Sequence, residues 1–107
     1  MEEYIEVITT TEKKEDAERI AKALVEKRLA GCVQTVGPIT STYWWKENME
    51  KAEEWLCLIK SKKDLYEEPE KSIKEIHPYK IPEIIALPII AGSKEYMNWL
   101  NNELKKK

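Results

Sequence analysis

The apolar residues of this chain change period in a fixed order, and that order constrains the fold more than any single residue does. Tyr4 to Thr10 alternates into a β-branched run and reads as a first strand. Glu12, Glu15 and Asp16 then place negative charge where a helix N-terminus favours it. Ala17, Ile20, Ala21, Leu24, Val25 and Leu29 recur at helical spacing, and Gly31 is the expected stop. Cys32 to Lys46 returns to β-forming residues, with a bulge or bend expected at Gly37-Pro38 because proline cannot donate to a ladder. Glu47 to Lys51 is a polar hairpin connection. Glu53 to Ser61 is its partner strand, with Trp55, Cys57 and Ile59 on one face and Leu56 and Leu58 on the other.

The second helix carries Leu65, Pro69, Ile73 and Ile76, with Asp64 as its expected N-cap and Pro78 as its end. Pro69 forces this helix to start late or to kink. Ile84 to Ala91 is an apolar strand whose Pro88 implies an edge or a bulge. Ser93 caps a short last helix that turns Tyr96, Trp99, Leu100 and Leu104 inward. The order β-α-β-β-α-β plus a terminal helix implies an α+β protein. Its architecture is the ferredoxin-like, split βαβ arrangement: an antiparallel sheet with helices on one face, an extended β-hairpin arm and a C-terminal helix. The other face carries apolar side chains that one copy cannot cover, so a homo-oligomer is expected.

The chain has 107 residues, enough for one domain spanning 1–107 and too few for two. Its 20 acidic and 18 basic residues give a net charge of −2. That balance supplies no basis for binding nucleic acid or an anionic membrane. No apolar run is long enough to span a bilayer, and the acidic N-terminus lacks the apolar region of a signal peptide. A cytoplasmic protein with reduced thiols is therefore expected. The Lys and Glu enrichment is of the kind found in heat-adapted, thermostable proteins. Cys32 and Cys57 form no CxxC pair, and with one histidine no Ser-His or Cys-His catalytic set assembles, so no enzyme is expected. Only three glycines are present and none forms a phosphate loop, so no organic cofactor is expected.

His77-Pro78-Tyr79-Lys80-Ile81-Pro82-Glu83-Ile84 holds the sole histidine in a loop stiffened by two prolines. Together with Arg28-Leu29-Ala30-Gly31-Cys32-Val33, Ser41-Thr42-Tyr43-Trp44-Trp45-Lys46, Leu58-Ile59-Lys60-Ser61 and Tyr96-Met97-Asn98-Trp99-Leu100, this loop resembles the CutA family of divalent-cation tolerance proteins. The likeness runs along essentially the whole chain. It implies a cytoplasmic homotrimer that binds copper or other divalent metal ions in the response to metal ions, with hairpin arms reaching between subunits. A trimeric small-molecule sensor of the PII type and a protein-interaction scaffold are the alternatives. Two positions depart from the family pattern. Trp45-Lys46 is followed by Glu47 where the family often has glycine, which makes Asn48 the expected positive-φ residue. Lys80 follows His77-Pro78-Tyr79 where an acceptor is common, and a lysine offers no ligand oxygen.

The candidate metal ligands are His77, Cys32 and Glu83. Imidazole and thiolate suit copper or zinc, and the carboxylate is a ligand or its partner. Each has a plainer role: His77 bonding the end of its helix, Cys32 packing as a small hydrophobe, Glu83 facing water. Cys57 is expected in the core. Glu47, Glu50, Glu53 and Glu54 form an acidic group around the hairpin that is expected to be mostly solvated. Tyr43, Trp44 and Trp45 are expected to anchor a subunit interface.

Overall fold

A computed structural model describes residues 3–106. The elements follow the expected order: β1 (Tyr4–Thr11), α1 (Lys14–Glu26), β2 (Cys32–Trp45), β3 (Asn48–Lys62), a single 3₁₀ turn (Lys63–Leu65), α2 (Glu67–Ile76), β4 (Ile85–Ile89) and α3 (Lys94–Glu103). The sheet runs β2-β3-β1-β4, every neighbour antiparallel. This is the ferredoxin-like topology, and it places the two strands that follow helices at the sheet's edges.

Helix α1 buries Ala17, Ile20 and Leu24 against Ile5 and Val7 of β1 and Cys57 and Ile59 of β3. Burial of a side chain such as Ile20 or Leu24, each fully enclosed, contributes about 1.5–3 kcal/mol. Val25, on the same stripe, stays 44% exposed at the helix flank. The helix ends at Glu26, before Gly31. Arg28 takes the left-handed conformation at φ 58°, and the Leu29 amide turns back to the Leu24 carbonyl. The Arg28 side chain then bonds Glu103, and its carbonyl accepts from the Lys105 amide, so this corner is anchored from the far end of the chain. Gly31 has another purpose. A Cβ there would sit 2.5 Å from Leu100 Cδ1, so the glycine lets α3 pack against the start of β2. Leu100 and Leu104 form a small second cluster with Leu65, Tyr4 and Met97, while Tyr96 and Trp99 remain about two-fifths exposed.

Asp64 does not cap α2. It lies inside the 3₁₀ turn, and α2 begins at Glu67, so Pro69 is its third residue. An amide at that position has no intrahelical acceptor, which is why the buried proline costs no hydrogen bond. Strand β4 is shorter than expected. Pro88 pairs with Ile5 on a strand bonded on one side only, which settles the choice between edge and bulge in favour of the edge.

The arm is set by two local features. Between Val36 and Ile39 the β2–β3 register shifts by one residue, at Gly37-Pro38. Because strand side chains alternate, this bulge moves Ile39, Ser41, Tyr43 and Trp45 onto the face that Gln34 and Val36 occupy. Gly37 is required there: a Cβ would lie 2.6 Å from the Trp55 ring. At the tip, Lys46 (φ 50°) and Glu47 (φ 68°) are the left-handed pair of a two-residue hairpin, not Asn48. Asn48 instead donates through its side-chain amide to the Lys46 carbonyl.

The sheet face opposite α1 and α2 carries Ile8, Leu56 and Leu58, with Val36, Ile85 and Leu87 at 44–46% exposure. The Glu6–Lys60 ion pair crosses this face at 3.0 Å. Trp44 (74% exposed), Met49 and Ile81 (each 69%) and Ile90 (93%) add further uncovered apolar surface. Among the described residues no helix is long and apolar enough to cross a membrane.

Candidate functional site

The loop between α2 and β4 is fastened at its first residue. The His77 amide closes the last turn of α2 onto the Ile73 carbonyl. Its ring leaves the helix and meets β1: Nε2 donates to the Thr10 carbonyl at 2.7 Å, and Nδ1 accepts from the Tyr79 amide at 3.1 Å. Those two partners fix the tautomer, with the proton on Nε2. The ring is 8% exposed and stacks obliquely on Tyr79, centroids 4.8 Å apart. His77 therefore ties the helical layer to the sheet, rather than bonding the carbonyls of its own helix through the side chain.

Tyr79, placed by this anchor, carries its hydroxyl to Glu54 Oε2 at 2.7 Å. Glu54 is on β3, paired with Ile39 just past the bulge, and only 7% of it is exposed. Burial, then the bond to Glu54 and its charge, hold the Tyr79 phenol well above the ordinary tyrosine range, so it remains a donor. Among the described residues Glu54 has no basic partner within ion-pair distance. Between this pair and the arm lies a cleft of about 580 Å³. Thr10 and Glu54 form its floor, and Ser41, Tyr43 and Trp45 form the arm's wall. Lys80, Ile81 and Glu83 close the loop's side.

The three expected metal ligands do not converge. Glu83 is exposed at the cleft. Cys32 is half-buried at the opposite end of β2, across from Lys60. Strand spacing and register put it roughly 16 Å from Thr10, where His77 is held. Both His77 nitrogens are engaged, so a metal there would have to displace the Tyr79 amide or the Thr10 carbonyl. Among the described residues no group of three His, Cys, Asp or Glu side chains is placed to hold a metal ion. The residues of one chain therefore do not by themselves fit a metal centre. Cys57 is in the core as expected. Its thiol makes only a long contact to the Ala17 carbonyl, and burial pushes it up to about 11.

The sequence places Glu54 among the solvated hairpin acids, and nothing in it joins Tyr79 to Glu54. Parity puts Glu54 on the same face of β3 as Leu56 and Leu58; its depth comes from the HPY loop, whose Tyr79 closes over it.

A ferredoxin-like sheet with a projecting arm, a histidine-anchored HPY loop and an uncovered apolar face defines a class of small α+β proteins, and the comparisons identify the family within it. The family model described as CutA1 divalent ion tolerance protein matches residues 5–103. The chain belongs to this family of divalent-cation tolerance proteins. The divalent-cation tolerance protein CutA of Thermus thermophilus is 44% identical over 94 residues, covering 88% of this chain and 91% of the relative. That of Archaeoglobus fulgidus is 40% identical over 91 residues, covering 85% and 88%. Among solved structures, CutA1 from Oryza sativa superposes with a TM-score of 0.95 at 35% identity, covering 98% of this chain and 96% of that one.

Proposed function

We propose that this protein supports tolerance to divalent cations without being an enzyme, as a cytoplasmic homotrimer that binds copper or a related divalent ion. The observation that carries the assembly is the uncovered sheet face, where Val36, Ile85 and Leu87 stand 44–46% exposed beside Ile8, Leu56 and Leu58. A soluble monomer rarely leaves such a surface to water. The arm extends the apolar surface: Tyr43, Trp44 and Trp45 stand 42–74% exposed on a two-stranded ribbon that needs a neighbour to be stable. The same assembly answers the metal question. With no three-ligand set among the described residues of one chain, a tight site combines side chains from more than one subunit, and half-buried Cys32 and exposed Glu83 are the accessible candidates. His77 joins such a site only by giving up one of its two bonds.

Light scattering coupled to size exclusion tests the assembly, and a mass other than three chains overturns that part. Copper titration of the reduced protein against a competing chelator tests the metal, beside Cys32→Ser, Glu83→Gln and His77→Ala. A tight site lost in one variant identifies a ligand. No competition in any of them removes metal binding from the reading. Cell fractionation decides the compartment.

A further inference from the structure

We draw no further inference here: the strongest candidate, the apolar groove of about 930 Å³ along the outer edge of β4, lined by Tyr66, Pro88, Ile90 and Met97, carries none because nothing in the structure shows what covers it.

Discussion

His77→Ala separates the structural role of the imidazole from any role as a ligand, and its cost can be worked from the geometry. The ring supplies two hydrogen bonds, at 2.7 Å to the Thr10 carbonyl and 3.1 Å from the Tyr79 amide, from a position only 8% exposed. Removing it leaves a buried carbonyl and a partly buried amide without partners. An unsatisfied buried group costs about 1–3 kcal/mol, and partial access of water to the loop lowers the second cost, so the expected loss is about 2–4 kcal/mol. That is a large share of an ordinary domain's stability. Guanidinium denaturation followed by tryptophan fluorescence measures it, at fixed chain concentration because assembly contributes to apparent stability. Hydrogen exchange adds a local readout: the Tyr79 amide should lose protection while amides in the β1–β3 ladder keep theirs until global unfolding. An unchanged midpoint with undiminished protection of Tyr79 would refute the anchor, and with it the placement of Tyr79 on Glu54. The copper titration of the same variant must be read beside this loss, since a weakened site could reflect a loosened loop.

Glu47 occupies a left-handed position at φ 68°, so Glu47→Gly is expected to raise stability by about 1 kcal/mol, read as an upward shift in the denaturation midpoint. Thr9 Oγ1 is buried with no partner among the described residues, and Thr9→Val, which keeps the shape and removes the hydroxyl, is expected to stabilise by about 1 kcal/mol in the same assay. Burial raises the Cys57 thiol from 9.0 to about 11, so the unfolded chain ionises there first. Stability from this group is therefore complete below pH 9 and lost as pH rises toward about 11, and a Cys57→Ala variant should show a flatter fall across that window. In a native thiol-reagent titration near pH 8, half-buried Cys32 should react and Cys57 should stay silent until denaturant is added.

Local chemistry wrote the element order into the chain. Helical spacing from Ala17 to Leu24, alternation in β1 and β3, Ser93 accepting from the Tyr96 amide, and Pro88 on a one-sided strand are all short-range rules, and each is visible in the structure. Where a residue's role depended on something distant in sequence, reading the chain placed it differently. Gly31 marked a helix stop, but Leu100 approaches it from α3, while the stop itself is Arg28, held by Glu103. Asn48 was the natural choice for positive φ by residue type, yet the register of the arm centres the turn on Lys46 and Glu47.

The candidate site divides in the same way. The sequence alone marked the HPY loop as stiff and singular, because a lone histidine followed by Pro78 and Pro82 is a local fact. It could not say that the imidazole would spend both nitrogens on Thr10 and Tyr79, since Thr10 lies 67 residues away. Nor could it bring Glu54 out of the hairpin's solvated acids and under Tyr79. That took the antiparallel register, which lays β3 beside β1 at Thr10, and the bond from His77 to Thr10, which sets Tyr79 over Glu54. Periodicity decides which residues can share a face, and only packing decides which of them meet. Secondary structure was therefore determined by the chain, and the cleft by the tertiary fold.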